Sequence, residues 1–313
     1  MRHIRTAVLG AAILALIVSA CSLGGGSQAS RGTIASQLSL AGPPECPERP
    51  FCLKGLTATY GITFKEFKPT DAGGPITIEA LKRGDAQVGL LFTSDPAIAV
   101  NGFVLLRDDK QLQLADNLVP VVRQAAIDAN PVITDALNGV MAKIDQATLT
   151  DLNKQVTVDG SAAADVAKAW LDAQGFTFSG GSGTVKVGST NFYEQEILGE
   201  IYAQVLEQAG LTVERKFQLG SREIVFPALE SGDIDILAEY AATALEFVNK
   251  GAGEASTDPV ATVAKLNERL VGMGGLVALD PAAATDQNGF VVTRETADKF
   301  GLVSISDLAK PAP

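Results

Sequence analysis

The stretch ALKRGDAQVGLLFTSD, residues Ala80–Asp95, returns in similar form as ALESGDIDILAEYAAT, residues Ala228–Thr243. Each copy places Ala-Leu at a helix end, Gly-Asp at a turn, then an apolar strand and a loop with an aromatic residue and a hydroxyl. A second pair of similar segments, 61–67 and 210–216, precedes the two copies. Strands and helices that alternate in this way are typical of βαβ units. The repeat therefore predicts an α/β fold with two similar halves.

The loops after these two strands form the predicted ligand site. Phe92 in the first copy corresponds to Tyr240 in the second, and hydroxyl residues lie near both rings. Open α/β sheets bind ligands at the carboxyl ends of their strands. If the two halves face each other, the two loops border one cleft. For Phe92, packing within the core of its own half is the alternative interpretation.

The N-terminal residues carry an export signal. Two arginines precede an apolar segment, 7–18, and Val18–Cys21 is typical of a lipobox, in which cleavage leaves a lipid-modified cysteine. The apolar segment is far shorter than the roughly 20 residues of a membrane span. We therefore expect a signal peptide over 1–20, a lipid anchor at Cys21 and a lipidated tether over 21–33, on the extracytoplasmic face of the cell membrane. An ordinary signal peptide with an incidental cysteine is the alternative.

The composition is that of a globular protein and excludes several classes of function. Of 313 residues 46% are apolar, and the formal net charge of −11 becomes −13 once the two arginines of the signal peptide are removed. An acidic chain without a basic run does not neutralise phosphates, so we expect no nucleic-acid partner. The only histidine, His3, lies in the signal peptide, which excludes His-dependent nucleophilic catalysis. We expect a monomer that is not an enzyme and holds neither a metal nor a cofactor.

Cys46 and Cys52 are the cysteines that remain besides Cys21, and they bracket a Pro-rich loop. Exported proteins meet oxidising conditions, in which such a pair forms a disulfide. A metal site is the weaker interpretation, because two thiolates without a histidine do not complete a tetrahedral shell. We therefore expect a Cys46–Cys52 disulfide.

Hydrophobic periodicity predicts the other elements along the chain. Strands are expected over 31–40, 62–67, 88–91, 103–107, 117–123, 185–188 and 290–293. Helices are expected over 53–60, 77–83, 134–144, 148–155, 162–175, 193–209 and 295–300. Residues 179–184 are a Gly/Ser linker of the flexible kind.

Several segments resemble the substrate-binding proteins of osmoprotectant ABC importers, which take up glycine betaine, choline and related quaternary amines. These segments are VGSTNFYEQEILG at 187–199, GDIDILAEYAAT at 232–243, SDLAK at 306–310, and 42–46, 64–67, 71–75, 84–85 and 119–123. Together they cover nearly all of residues 34–313. The resemblance implies a two-lobed periplasmic-binding-protein fold of type II, in which hinge closure traps the ligand. It also implies a small osmolyte as ligand and the permease of an ABC importer as membrane partner.

The order of these segments differs from that of the family. There the Gly-Ser-x-Asn-Phe segment opens the protein, whereas here it begins at Gly188 and follows the Gly-Pro-Pro segment. A circular permutation explains this order if the linker joins the former chain ends. A rearranged gene or an assembly artefact is the alternative. The permuted order predicts lobe A over 109–285 and lobe B from 34–108 plus 286–313.

The resemblance further implies which residues bind the ligand. In the family, aromatic faces hold a quaternary ammonium by cation–π attraction, and polar groups hold the rest of the ligand. Carried over by motif, Tyr240 is an aromatic wall, Gln195 and Thr243 are polar contacts, and Asn191 and Tyr193 border the start of a helix. The other expected contacts are Phe92, Thr93, Asp95, Pro44, Glu45, Asp71 and Asn117.

The chain lacks tyrosine at two places where the family often carries it. Gln287–Phe290 and Asp116–Asn117 occupy those places, so a full tyrosine cage cannot be built. The ligand is then a weakly bound quaternary amine, or another small polar or cationic solute, such as an amino-acid-like one. A carboxylate from Asp95, Asp116 or Glu45 would replace part of the cation–π attraction. A nonbinding surface lipoprotein is the third interpretation.

Overall fold

The computed structural model describes residues 32–313. The predicted signal peptide, Cys21 and most of the tether lie outside the described residues. The strands within the described range are β1 Ser39–Gly42, β2 Glu66–Pro69, β3 Val88–Phe92, β4 Val104–Leu105, β5 Leu118–Arg123, β6 Thr184–Gly188, β7 Thr212–Lys216, β8 Ile236–Tyr240, β9 Leu276–Ala278 and β10 Asn288–Val292.

The helices surround these strands. They are α1 Leu53–Gly55, α2 Pro75–Lys82, α3 Ala97–Val100, α4 Gln124–Ala129, α5 Val132–Met141, α6 Gln146–Thr157, α7 Ala163–Gln174, α8 Tyr193–Gln208, α9 Arg222–Ser231, α10 Ala241–Val248, α11 Pro259–Leu270 and α12 Arg294–Phe300. No helix in the described range is long and apolar enough to span a bilayer.

The strands form two five-stranded sheets with the same design. Sheet 1 has the order β2-β1-β3-β10-β4, and sheet 2 has the order β7-β6-β8-β5-β9. In sheet 1, β1 is parallel to β2 and β3, while β10 is antiparallel to β3. In sheet 2, β6 is likewise parallel to β7 and β8, while β5 is antiparallel to β8. The predicted two-lobed α/β fold is confirmed, and β3 and β8, the strands of the repeated sequence, hold equivalent central positions.

The chain crosses between the sheets twice, over residues 106–117 and 279–287. The two crossing segments lie side by side: Asp286 N donates to Asp116 O at 3.0 Å, and Asn117 forms an isolated antiparallel bridge with Thr285. Two adjacent connections between two sheets are a geometry that permits hinge motion.

The apolar run LVPVV of β5 shows why the second sheet is buried on both faces. Leu118 and Val122 pack into one hydrophobic core with α5 and α8, and Val119 and Val121 pack into another with α9, α10 and α11. Successive side chains of a strand point to opposite faces, so a continuous apolar run fits a sheet covered on both sides.

The disulfide prediction is confirmed, because Cys46 and Cys52 are bonded, with their Cα atoms 5.2 Å apart. The predicted strand over 31–40 is wrong for most of its described length. Ala35–Gln37 form a 3-10 turn, and only Ser39 and Leu40 belong to β1. Ser36 Oγ donates to Thr33 O at 2.6 Å, a local side-chain bond that competes with strand pairing.

Candidate ligand-binding cleft

A cavity of about 130 Å³ lies between the two sheets. The carboxyl ends of β1, β3, β6 and β8 converge on it, so it occupies the edge where open α/β sheets bind ligands. From the half that contains sheet 1 it is lined by Glu45, Arg49, Pro50, Phe51, Ala72, Phe92 and Asn288, and from the crossing segments by Asp116 and Asp286. From the half that contains sheet 2 it is lined by Thr190, Asn191, Phe192, Ser221, Arg222, Glu223, Tyr240, Thr243, Glu246 and Phe247.

Aromatic rings from both halves meet in this cleft. The ring centroids of Phe92 and Phe192, which belong to opposite halves, are 4.3 Å apart. Tyr240 and Phe51 are 8% and 7% exposed and also line the cavity. Aromatic rings in close contact stabilise a structure by more than the apolar area that they bury. The cleft therefore has an aromatic wall that is complete only when the two halves are together.

A buried ion pair fixes Arg222 at one side of the cleft. Its Nε donates to Glu239 Oε1 at 2.9 Å and its Nη2 donates to Glu239 Oε2 at 2.7 Å, with 11% and 2% of the two side chains exposed. Burial alone would lower the pKa of Arg222, but the Glu239 carboxylate outweighs it and holds the pKa above its ordinary value. Nη2 also donates to Thr243 Oγ1 at 2.8 Å. This bidentate geometry holds the guanidinium rigidly against the cavity.

Asp116 lies at the other end of the same hydrogen-bond chain. Its Oδ1 accepts from Thr243 N at 2.9 Å and from Thr243 Oγ1 at 3.2 Å. The residue is 4% exposed, and burial raises the pKa of Asp116 to about 7, against the opposing effects of Thr243 and Arg222. Glu239, Arg222, Thr243 and Asp116 thus form one connected series of charged and polar groups.

A second pair of buried carboxyls connects the two halves through Ser94. Ser94 Oγ lies 2.7 Å from Glu194 Oε2 and 2.8 Å from Asp286 Oδ1. The hydroxyl has one proton, so it donates to one carboxyl only, and the other contact requires a protonated carboxyl. Burial, followed for Asp286 by the charge of Glu194, raises the pKa of both carboxyls. Burial and the single hydroxyl proton of Ser94 thus both favour a proton held within this pair.

Glu194 has further partners in its own half, and one of them also reaches Ser94 in the other half. Its Oε1 accepts from Tyr240 Oη at 2.8 Å, and its Oε2 accepts from Asn153 Nδ2 at 2.5 Å. Asn153 Nδ2 also donates to Ser94 Oγ at 3.1 Å. At the cleft mouth, Arg49 bonds Glu223 across the halves at 3.1 Å. These contacts describe a closed arrangement of the two halves.

The residues expected at the site divide into three groups. Those that line the cleft are Glu45, Phe92, Asn191, Tyr240 and Thr243. Asp95 and Tyr193 line a separate cavity. The others, Pro44, Asp71, Thr93, Asn117 and Gln195, line neither cavity.

Four of these last residues have structural partners or are buried. Asp71 accepts from Ile76 N and Thr77 N at 2.9 Å each, and so binds the start of α2. Thr93 Oγ1 accepts from Gln287 N at 2.9 Å, and Asn117 Nδ2 donates to Ala282 O at 2.9 Å. Gln195 is 1% exposed in the first turn of α8. Pro44 differs from these, since it is exposed beside Glu45.

Sequence reasoning missed Phe192, Arg222 and Asp286 as cleft residues. Phe192 lies between two residues that were expected there, Asn191 and Tyr193, so the alternation of that segment could have indicated it. The sequence around Arg222 and Asp286 carries no such signal, because each acquires its position from a partner far away in the chain.

Comparison with known proteins identifies a matching family model and several relatives. The family model described as the substrate-binding domain of ABC-type glycine betaine transport systems matches residues 28–173 and 183–313. The chain is 34% identical over 129 residues to the glycine betaine-binding protein YehZ of Escherichia coli K12, which is 40% of this chain and 41% of that protein. It is 33% identical over 127 residues to a glycine-betaine-binding protein of Pseudomonas aeruginosa, which is 41% of this chain and 40% of that one.

A third relative is the carnitine transport binding protein OpuCC of Listeria monocytogenes, 29% identical over 129 residues, or 41% of either chain. The aligned part thus spans about two fifths of the length of these relatives. Among solved structures, an ancestral arginine-binding protein bound to arginine matches with a TM-score of 0.42 at 15% identity, over 88% of this chain and 92% of that one. Since the family model matches both long segments, the chain belongs to the family of substrate-binding domains of ABC-type glycine betaine transport systems.

Proposed function

We propose that this protein is the extracytoplasmic solute-binding component of an ABC importer, and that it binds a small quaternary amine such as glycine betaine in the cleft. The observation that carries the proposal is the convergence of aromatic rings from both halves on a small acidic cavity. At about 130 Å³ the cavity is well below the ~300–1,000 Å³ of pockets for drug-sized ligands. It therefore suits a solute of few heavy atoms.

The charge of the cleft favours a cationic group. Five carboxyl side chains line it, Glu45, Asp116, Glu223, Glu246 and Asp286, against two guanidinium groups, Arg49 and Arg222. Both guanidinium groups are bonded to carboxylates. A quaternary ammonium beside the rings would gain cation–π attraction of about 0.5 to 2 kcal/mol per ring, with the larger value where water is excluded.

Arg222 supplies the contact for the other end of a betaine. Its Nε and Nη2 are bonded to Glu239 and Thr243, while no hydrogen bond from its Nη1 to residues 32–313 is present. A ligand carboxylate would accept from that nitrogen. We therefore expect glycine betaine and carnitine to bind more tightly than choline, which has no carboxylate, by roughly 1.5 to 3 kcal/mol if this bond is formed.

An amino-acid-like solute is the second candidate, and Asp116 favours it. Asp116 Oδ1 is occupied by Thr243, but its second oxygen has no hydrogen-bond partner in the described part of the chain. A primary ammonium, unlike a quaternary one, has N–H groups that donate to such an oxygen. The two candidates differ in this one group, so they can be separated by a matched pair of ligands.

The test is isothermal titration calorimetry of the purified protein with glycine betaine, carnitine, choline and glycine. Binding of the quaternary amines, with glycine betaine ahead of glycine, is the expected result. If glycine binds and none of the quaternary amines does, the amino-acid-like candidate replaces the proposal. If no solute binds, the assignment as an osmoprotectant receptor is wrong.

Variants of Tyr240 separate the ring from the hydroxyl. Tyr240→Phe keeps the ring and loses the bond to Glu194, so we expect betaine affinity to fall only slightly. Tyr240→Leu removes the ring, which should weaken binding about 2- to 30-fold. Tyr202→Phe, at a buried tyrosine outside the cleft, is the matched control and should bind as the parent does.

We also propose lipidation at Cys21, a monomeric state, and two lobes, A over 109–285 and B from 34–108 plus 286–313, in circularly permuted order. Two observations support the permutation: the family matches break between 173 and 183, around the linker, and the described chain ends pair with each other. Ile34 N donates to Lys310 O at 2.9 Å, and Ala312 N donates to Gly32 O at 2.8 Å. Mass spectrometry of the membrane-bound protein tests the anchor, and Cys21→Ser should abolish the lipid adduct.

A further inference from the structure

A second cavity, of about 420 Å³, lies beside the proposed osmolyte cleft but shares no lining residue with it. The half containing sheet 1 contributes the start of α2 and the segment around α3, and the half containing sheet 2 contributes the end of α6 and the start of α8. The lining residues are Gly73, Gly74, Pro75, Ile78, Asp95, Ala97, Val100, Asn101, Thr157, Val158 and Tyr193. Like the cleft, this cavity is therefore bordered by both halves.

Two polar atoms that line this cavity are buried without a partner. Asp95 is 5% exposed, and its Oδ1 accepts from Ala97 N at 2.7 Å. Its Oδ2 has no hydrogen-bond partner within residues 32–313, and neither has the Tyr193 hydroxyl. Burial raises the pKa of Asp95 to about 6, and the Ala97 N–H and the nearby Tyr193 hydroxyl oppose this shift. Above neutral pH the cavity thus holds a buried carboxylate whose Oδ2 has, among residues 32–313, only the Tyr193 hydroxyl close enough to act on it, and a buried charge with so few partners is costly.

The rest of the lining is mainly apolar, apart from Asn101 and Thr157, and the cavity is open to solvent at one side. Val100 and Val158 are 61% and 41% exposed, Pro75 is exposed as well, and Ile78 is partly buried. No cluster of three or more metal-ligating side chains occurs among residues 32–313, so a lone carboxylate here does not indicate a metal site. An apolar entrance that leads to a buried acceptor is complementary to an amphipathic cation.

We propose that this cavity binds a primary or secondary alkylammonium ion, which donates N–H bonds to Asp95 Oδ2 and the Tyr193 hydroxyl and packs its alkyl chain against Val100 and Val158. The quaternary amines proposed for the cleft are excluded as strong ligands here, because they have no N–H to donate. The two cavities therefore select different amines.

An occupant of this cavity would also act on the cleft. Asp95 directly follows Ser94, and Tyr193 directly precedes Glu194, two residues of the network that joins the halves. A ligand that contacts both halves is bound most tightly when they are closed. Closure is also the state that brings Phe92 to Phe192, so the two sites are coupled, and each ligand raises the affinity for the other.

The test is calorimetric titration at pH 8 with n-butylammonium, and with tetramethylammonium as the cation that has no N–H. Saturable binding of n-butylammonium but not of tetramethylammonium is expected, and glycine betaine, at concentrations at which it binds, should tighten n-butylammonium binding. Asp95→Asn should weaken n-butylammonium binding about 10- to 100-fold, since a charged hydrogen bond is lost. Asp85→Asn, at an exposed carboxylate that lines neither cavity, is the matched control.

Tyr193→Phe is the second variant, because it removes only the hydroxyl and is the milder change if Asp95→Asn fails to fold. It should also weaken n-butylammonium binding. The proposal is overturned if n-butylammonium does not bind, if both variants bind it as the parent does, or if glycine betaine displaces it. Displacement would place the amine in the cleft. The proposal does not rest on betaine binding, which the titrations with betaine alone decide separately.

Discussion

The buried pair Glu194 and Asp286 makes a prediction about stability that reverses the usual effect of a core substitution. Replacing Glu194 by Gln keeps the size of the side chain and its hydrogen bonds. The new Nε2 can donate to Ser94 Oγ, whose own proton is then available to ionised Asp286, and the new Oε1 can accept from Tyr240 Oη. The Asn153 amide turns so that its Oδ1, which has no partner among residues 32–313, accepts from the same Nε2. The substitution removes one of two like charges from a buried network, so we expect the protein to become more stable at alkaline pH.

The size of the effect follows from the geometry at Ser94. The bonded oxygens of Glu194 and Asp286 are at most about 5.5 Å apart, the sum of the two distances to Ser94 Oγ. Two unit charges at that distance repel by roughly 3 kcal/mol at an effective dielectric constant of about 20. The folded protein avoids this cost only by holding a proton that the unfolded chain releases. At about 2 to 4 °C per kcal/mol, the Tm of Glu194→Gln at pH 8 should exceed that of the parent by roughly 6 to 12 °C.

The sign of the pH dependence follows from the raised pKa values of both carboxyls. Between the ordinary carboxyl pKa and the folded value, the folded state binds more protons than the unfolded state, so stability falls as pH rises. The gain from Glu194→Gln should therefore be larger at pH 8 than at pH 5, which is close to the ordinary carboxyl pKa.

The assay is thermal unfolding followed by circular dichroism at pH 5 and pH 8, without ligand. Glu295→Gln, an exposed carboxylate in the first turn of α12, is the control and should change Tm little at either pH. A variant that is destabilised equally at both pH values would refute the reasoning, because it would mean that the pair contributes hydrogen bonds and no charge repulsion.

Three further predictions concern other parts of the molecule. The free energy of unfolding of the parent should fall between about pH 4 and pH 7, because the pKa of Asp116 is raised to about 7 in the folded state. Asp116→Asn should reduce this fall, and urea unfolding at several pH values in that range tests the difference. Gly73→Ala should cost more stability than Gly84→Ala, since both glycines have positive φ but only at Gly73 would a Cβ meet the Phe92 ring, at 2.7 Å; urea unfolding of both variants compares them. A chain cut in the 179–184 linker and joined from Pro313 to Gly32 should fold with the same far-ultraviolet spectrum, and loss of folding would contradict the proposed permutation.

The parts of the fold that the sequence predicted are those encoded by local periodicity. The apolar runs at 88–91 and 185–188 match β3 and β6 within one residue. The repeated segments 80–95 and 228–243 contain equivalent strands, which end at Phe92 and Tyr240. Both rings lie at the cleft because β3 and β8 each end at the edge of a sheet that borders it, and open α/β sheets bind ligands at the carboxyl ends of their strands. The strand expected over 31–40 failed because Ser36 makes a local side-chain bond that periodicity does not register.

The site was less predictable because its chemistry depends on pairs that are distant in sequence. Asp71 has the right residue type and neighbourhood for a ligand contact, but both its oxygens accept from the start of α2. Arg222 was missed because Glu239 and Thr243, which lie on other elements, fix its guanidinium at the cavity. Residue type and sequence order identify candidates for a site. A candidate remains available to a ligand only if its polar atoms do not already have partners within the fold.

Protons and counter-charges also explain why so many carboxyls are tolerated in one closed cleft. Asp116 and Asp286 are buried beside it, each with a raised pKa, so without ligand they favour holding protons. A bound cation would stabilise the same carboxyls in their ionised form, since an opposite charge nearby lowers a carboxyl pKa. Either a proton or a bound cation can thus compensate the negative charge of these buried carboxyls. The closed arrangement, in which Phe92 contacts Phe192, then has its lowest free energy when either a proton or a cation is bound. Binding of a cationic solute therefore favours the closure that traps it.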